Sequence, residues 1–486
     1  MKAASWGYAG AAVKLVMQLG VQILLARLLG PEEYGVFAIG VMIVSFALFF
    51  GDVASAALIP RSQLTEAEIR FATTWQITIC ATVSLVLVLL ADGIASMLDV
   101  PRAADVIRWV APVCVLSAIG GVSIALLRRT LDFRSIQIAQ ISGYFSGYVL
   151  VALPYALLVE ASVDALIFAW LVQVLVTSLV YRRAAPHAWR PRFGCANGRH
   201  LVSFSAHALV ANLGNWSLTN LDRIVIARFF SATEVGLYTT AANLLSTPLS
   251  QINATFQQIA FSAGARLGTA EGRAGKAFSS LLALAAMIAG LAYGFTLSAA
   301  EPLMVVLYGQ KWSGSIPFVQ AFSLTLFSTA IAGVVTPLLW AHGAVSRDSR
   351  VQAVMTVALL VGAISFARLG VIFVAWWVAA LFSIRALILI GLGYRVFAHP
   401  FRSSFFGLAR IGCVVLLNVL AIATWDGALS AAEASPILRL TCTASVPVVI
   451  FVCSVRWRQW LGADYALAVS LVGTRLPKRL LRAFAL

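Results

Sequence analysis

Residues 24–45 read LLARLLGPEEYGVFAIGVMIVS, and residues 225–246 read VIARFFSATEVGLYTTAANLLS. At a constant offset of 201 the two stretches share Ala26/Ala227, Arg27/Arg228, Glu33/Glu234, Gly35/Gly236 and Ser45/Ser246. Leu28/Phe229, Leu29/Phe230, Val36/Leu237 and Phe37/Tyr238 are alike in kind. Apolar helices match one another easily, but here the punctuation between helices matches too. Each copy has an Arg at a helix end, an acidic turn, and a Gly-aromatic opening to the next helix. The chain therefore reads as an internal duplication.

The composition around this repeat is that of a membrane protein. The chain has 486 residues, 61% of them hydrophobic and only 11% charged, with a mean hydropathy of +0.91. A soluble domain carries about 25% charged residues. Soluble, disordered, coiled-coil and collagenous classes are excluded. The 35 Lys and Arg against 19 Asp and Glu leave a formal charge of +16. No soluble domain is present to cluster that charge for nucleic acid; basic cytoplasmic loops account for it instead.

A membrane helix needs roughly 20 mostly apolar residues. The sequence predicts an all-α fold of about fourteen spans, from 7–29 and 34–58 to 404–424 and 436–455. The runs are too long and uniform for β-barrel strands, which are roughly 10 alternating residues. Met1–Tyr8 leads straight into a span, so no cleavable signal peptide is expected. Most Lys and Arg fall on the tails and even-numbered connections, whereas the odd-numbered ones hold only Arg102, Arg108, Lys311 and Arg439. The positive-inside rule then puts both termini in the cytoplasm. A basic linker at 183–200 carries the helix breakers Pro186 and Pro191. It separates a first six-helix bundle, 1–182, from a second, 201–393. Two additional spans, 404–455, and a basic cytoplasmic tail, 456–486, follow. The tail is expected to form an interfacial helix on anionic lipid. Six spans separate the repeat copies. That even number makes the repeat parallel, with its axis along the membrane normal and a cavity between two bundles.

Here the residues also resemble a family. Ala26-Arg27-Leu28-Leu29-Gly30-Pro31-Glu32-Glu33-Tyr34-Gly35-Val36-Phe37 is similar to the first-loop signature of bacterial polysaccharide exporters. Leu221-Asp222-Arg223-Ile224-Val225-Ile226-Ala227-Arg228 followed by Val235-Gly236-Leu237-Tyr238 resembles its second-half counterpart, with Ser231-Ala232-Thr233 in place of Gly-Pro-Glu. These are Wzx-type flippases of the multidrug/oligosaccharidyl-lipid/polysaccharide exporter superfamily. The resemblance implies movement of an undecaprenyl-pyrophosphate-linked oligosaccharide from the inner to the outer leaflet of a bacterial inner membrane. Its implied partners are that lipid-linked oligosaccharide, the phospholipid bilayer and glycan assembly proteins.

An ionisable residue inside a span costs at least about 2.5–3.5 kcal/mol on insertion scales, so it should face a wet cavity or a partner. The first span carries Lys14, Gln18 and Gln22 on one stripe. Lys14 lies about two turns into its span, roughly 10 Å at 1.5 Å per residue, and is the leading candidate for the lipid phosphate. Snorkelling to the surface is its alternative. The seventh span carries Asn212, Asn215, Thr219 and Asp222 on one face, with Arg223 beside it. Arg27 and Arg228 either bind the acidic turns beside them or meet the substrate at the outer end. Asp52 and Asp222 are candidate ion-coupling carboxylates, with static ion pairing as the alternative. Gln137, Gln140, Tyr144 and Tyr148 make an amide and aromatic stripe on the fifth span, suited to sugars or to packing. Arg385 has no assignment from sequence. The polar first, second, seventh and eighth spans are expected around the cavity. The plain third, sixth, ninth, thirteenth and fourteenth are expected toward lipid.

Cys80, Cys114, Cys195, Cys413, Cys442 and Cys453 form no C-x-x-C motif, and the histidines no H-E-x-x-H. No phosphate-binding G-x-x-x-x-G-K-[ST] loop is present. No cofactor, metal or ATP hydrolysis is expected; energy comes from a proton or sodium gradient, or from the substrate's own gradient. The sequons at Asn215 and Asn253 lie in spans and carry no weight. A drug or cation antiporter of the same superfamily would want an acidic cavity. A polytopic glycosyltransferase or polymerase would want acidic residues on a long external loop. The sequence offers neither, so a non-enzymatic flippase leads.

Overall fold

The computed structural model describes residues 2–51, 55, 58, 64–195, 198–247 and 273–473. Among the described residues the chain is helical with no strand, and eleven helices are long and apolar enough to cross a membrane. The protein is a multi-pass membrane protein. Two compact units divide it, Met1–Thr239 and Thr240–Leu486.

The first unit contains α1 (Lys2–Leu28), α2 (Pro31–Gly51), α3 (Glu66–Leu98), α4 (Ala103–Arg129), α5 (Phe133–Leu158), α6 (Val163–Ala184) and α7 (Gly198–Phe229). A helix over 232–247, α8, crosses the boundary. The bounds follow local chemistry. Thr65 and Glu68 close a reciprocal capping box at the start of α3, which satisfies otherwise orphaned N–H groups. Asp132 does the same for α5, accepting from the Ser135 N–H at 3.1 Å. Pro112 interrupts α4, which runs helical to Val110 and resumes at Val113, since proline has no N–H to give. Small residues set the packing. A Cβ on Gly143 would lie 1.9 Å from Thr177 Oγ1, and one on Gly147 2.2 Å from Ala169 O. This four-residue glycine spacing lets α5 close onto α6. The linker after α6 is not helical. It is tied to the bundle by Arg70 Nε to Arg190 O and by the Arg192 N–H to Thr74 Oγ1.

The duplicated turn keeps its register in space. Helix α1 ends at Leu28 and α7 at Phe229; α2 begins at Pro31 and α8 at position 232. Both pairs differ by the sequence offset. The two turns also touch each other. A Cβ on Gly35 would fall 1.7 Å from Ala232 O, and one on Gly236 1.8 Å from Pro31 O. Pro31 and Ala232 are themselves repeat equivalents, so the contact is reciprocal. Only glycine fits at either position.

The second unit holds α9 (Arg273–Ser298), α10 (Ile316–Ala341), α11 (Val345–Ala367), α12 (Val371–Val396), α13 (Phe401–Ala431), α14 (Pro436–Arg456) and α15 (Ala463–Gly473). Its core joins Phe278 and Leu282 of α9 to Val335 and Leu339 of α10 and Leu389 of α12. One expectation changes here. The ninth span is mostly buried. Its apolar sequence is rich in alanine, which lets neighbours close on every side, and Met287 and Phe278 are fully enclosed. Over 463–473 the tail beyond α14 packs on the protein itself. Tyr465, Ala468 and Val469 of α15 pack on Leu284, Met287 and Leu291 of α9, and Asp464 accepts from Ser279 Oγ at 2.9 Å and Ser404 Oγ at 2.6 Å. Helices α3, α13 and α14 bury little of themselves within the protein.

Candidate functional site

Lys14 on α1 donates from Nζ to Gln140 Oε1 on α5 at 2.9 Å. One turn earlier, Gly10 admits the neighbouring helix: a Cβ there would lie 2.8 Å from Gln137 Cβ. One turn later, the Tyr144 hydroxyl donates to Gln18 O at 3.4 Å. Tyr144 stacks on Tyr148, ring centroids 4.7 Å apart and planes 16° from parallel. Two stripes read separately along the sequence thus meet in one α1–α5 seam. Gln22 continues the α1 face one turn beyond Gln18 and is half-buried. Gln137 Oε1 is buried without a hydrogen-bond partner among the described residues.

An ammonium has three donors, and Gln140 occupies one. Among the described residues no charged group accompanies Lys14. A half-buried cation served by one neutral amide leaves capacity for an incoming phosphate oxygen, which a lysine binds as a point charge.

A second group lies at the α7–α8 end. Asp222 is buried and accepts from the Tyr238 hydroxyl at 2.5 Å. Arg223 is half-buried and acts electrostatically on Asp222. Tyr238 was not a sequence candidate, yet the repeat held the signal. Under the offset of 201, Asp222 and Tyr238 correspond to Val21 and Phe37. In the first copy that pair belongs to an apolar cluster; in the second it is a carboxylate and a hydroxyl. The exchange of both partners together marks a contact.

The remaining candidates are dispersed. Asn215 and Arg228 are exposed, the Arg228 guanidinium lying 5.9 Å from the Phe229 ring. Arg27 is exposed at the end of α1. The acidic residues after it are held from elsewhere. Arg102 bonds Glu32 at 2.7 Å and Glu33 at 2.8 Å, and the Val163 N–H also donates to Glu33 at 2.8 Å. Those acceptors hold the Arg102 pKa above its usual value, Glu33 contributing most. Glu234 folds back on Ser231 as a cap, accepting from the Ser231 N–H at 3.0 Å. Asp52 lies outside the described residues. Arg385, unassigned from sequence, pairs with buried Asp348 at 4.0 Å, whose other oxygen accepts from Trp340 Nε1 at 2.9 Å. Among the described residues no group of three His, Cys, Asp or Glu could hold a metal.

A profile of a family described as polysaccharide biosynthesis protein matches residues 24–317. The chain is 25% identical over 320 residues to the succinoglycan biosynthesis transport protein ExoT of Rhizobium meliloti (strain 1021), covering 65% of this chain and 62% of that protein. It is 23% identical over 348 residues to the lipopolysaccharide biosynthesis protein WzxC of Escherichia coli (strain K12), covering 70% of each. The match therefore spans under two thirds of the length of ExoT and somewhat more of WzxC. Among solved structures, the lipid II flippase MurJ in an inward closed conformation superposes with a TM-score of 0.73 at 14% identity, over 94% of this chain and 99% of that one. An inward-facing multidrug MATE transporter gives a TM-score of 0.62 at 16% identity, over 79% and 94%. At such identities these structures speak to the fold alone.

Proposed function

The chain belongs to the polysaccharide biosynthesis protein family, and on that premise we propose that it moves an undecaprenyl-pyrophosphate-linked oligosaccharide from the inner to the outer leaflet of a bacterial inner membrane. The observation that carries this reading is Lys14: a cation inside an apolar helix whose bonded partner among the described residues, Gln140, is a neutral amide. A diphosphate crossing an apolar barrier needs fixed positive charge, because an uncompensated buried anion is very costly. Similarity to transport proteins of polysaccharide assembly supports the same cargo class.

The mechanism is alternating access. With both termini cytoplasmic, the substrate enters from the inner side, its diphosphate on Lys14 and its first sugars along Gln18, Gln22, Gln137 and Tyr144. The lipid tail stays in the bilayer. The duplicated turns at Gly35 and Gly236 lie at the outer end and part as the sugar leaves past Arg27, Asn215, Arg223 and Arg228. Asp222, with Asp52, couples the cycle to a proton or sodium gradient. The two bundles, 1–182 and 201–393, are the parts that rock, and no enzymatic step is involved.

Lys14→Ala is expected to abolish appearance of lipid-linked sugar in the outer leaflet of reconstituted vesicles at unchanged protein level. Lys14→Arg is expected to retain most of it, because charge matters more than shape here. A normal rate for Lys14→Ala would overturn the phosphate assignment.

A further inference from the structure

Between α4 and α6 of the first unit lies a cavity of about 370 Å³, lined in part by Ser117, Gln173, Thr177, Tyr181, Asn212 and Arg128. It is within the size range of small-molecule sites, but its lining is unlike the mostly apolar, aromatic wall of a drug pocket. Hydroxyls and amides that both donate and accept predominate, and Arg128 is the one charged group among the described lining residues. Among the described residues, no carboxylate lies within ion-pair distance of Arg128. Two glycines let the wall form: a Cβ on Gly120 would lie 2.7 Å from Ser178 Cα, and one on Gly121 2.0 Å from Gln76 Nε2.

The cavity is joined to the Lys14 seam. Tyr181 lines the cavity and lies near the Gln140 side chain. Gln140 is also the acceptor for Lys14. A group bound in the cavity and a phosphate bound at Lys14 would therefore occupy opposite ends of one short chain of polar contacts.

We infer that this cavity is a binding site for a saccharide unit bearing an anionic group, with Arg128 as the charge contact and Gln173, Thr177 and Tyr181 as hydroxyl partners. Paired donor and acceptor groups suit vicinal sugar hydroxyls, and a guanidinium with no carboxylate partner among the described residues suits a carboxylate or phosphate. The inference rests on the flippase reading and narrows its cargo to acidic or phosphorylated glycans.

The test uses the full-length protein in nanodiscs, with thermal unfolding midpoint against concentration of four probes: glucuronate, glucose 1-phosphate, glucose and inorganic phosphate. A ligand that binds only the folded state raises the midpoint, its stabilisation growing as RT ln(1 + [L]/Kd). Glucuronate or glucose 1-phosphate is expected to act at concentrations at least about tenfold lower than glucose or phosphate, since bonds to charged groups are the stronger ones. Arg128→Gln is expected to remove that advantage and Arg128→Lys to keep part of it. Equal response to glucuronate, glucose 1-phosphate and glucose overturns the proposal. So does a full effect from inorganic phosphate alone, or an undiminished advantage in an Arg128→Gln protein whose unliganded midpoint is normal. Because the readout is binding, this outcome is separable from the transport result for Lys14→Ala, which tests the flippase reading.

Discussion

Substituting alanine for Gly35 or Gly236 tests the reciprocal contact of the two repeat turns. The new methyl at Gly35 would sit 1.7 Å from Ala232 O. Non-bonded heavy atoms rest at roughly 3.5 Å or more, so the turns must part by roughly 1.8 Å. The obstacle is a backbone carbonyl, which cannot swing aside as a long side chain would. Overpacking that forces a backbone shift costs about 1–3 kcal/mol, and this site belongs at the upper end. At 1.4 kcal/mol per tenfold, about 3 kcal/mol changes a population ratio by more than roughly a hundredfold. The assay is the unfolding midpoint of the purified protein in detergent. Gly20→Ala is the control, because a Cβ there meets nothing within 4 Å and alanine is the better helix former. Both turn variants are expected to melt below the wild type, and the control at or above it. The double variant is expected to cost less than the two single losses together, because one opening of the turns accommodates both methyls and contacting sites are not additive. A Gly35→Ala protein as stable as the control would refute the contact. Full additivity would refute the shared origin of the two losses.

Further consequences concern other elements. Arg439 of α14 holds Asp426 of α13 through two bonds of 2.9 and 2.8 Å, with Glu301 at 3.0 Å. Arg439→Ala strands a buried carboxylate and is expected to cost about 3–5 kcal/mol. Arg439→Lys, which loses the planar fork, should fall between it and the wild type in thermal unfolding; equal stability of all three would refute the reading. Asp222→Asn retains an acceptor for Tyr238, so it should fold normally but transport without dependence on an imposed ion gradient; gradient dependence as in the wild type would remove Asp222 from coupling. His187 in the linker has its pKa lowered, first by burial and then by Arg182, and bonds Ser123 Oγ at 3.3 Å. Its folded pKa lies below the unfolded value of about 6.5. Below that pH the unfolded linker takes up the proton first, so stability falls as pH drops. Protease cleavage within 185–193 should rise as pH falls from about 7 through about 6.5, and His187→Asn should flatten that rise; an unchanged rise would assign it elsewhere.

The polar groups of the site were legible as types and faces, but not as pairs. Lys14, Gln18 and the Gln137–Tyr148 stripe stood out because polar residues are rare in spans, and the seam did form from those faces. That Gln140 in particular receives Lys14 depends on how α1 and α5 rotate against each other. Gly10 sets that rotation, and glycines are too common in this chain to be singled out. Arg128 read as one more basic residue at a helix end, because its cavity needs α4 and α6 placed together. The ninth span misled for a related reason. Hydropathy measures the dislike of water, and both lipid and protein interior satisfy it.

By itself the sequence determined what local and periodic chemistry can determine: the apolar spans and the duplicated turn. Each is settled within a few residues, by backbone hydrogen bonding or by the burial of an apolar stretch. Tertiary structure alone decided the pairings: Lys14 with Gln140, Arg102 with Glu32 and Glu33, Asp222 with Tyr238, and Gly35 against Ala232. Those contacts depend on which helix faces meet. That is set by close packing of small residues summed over whole helices, a quantity that no single stretch of sequence contains.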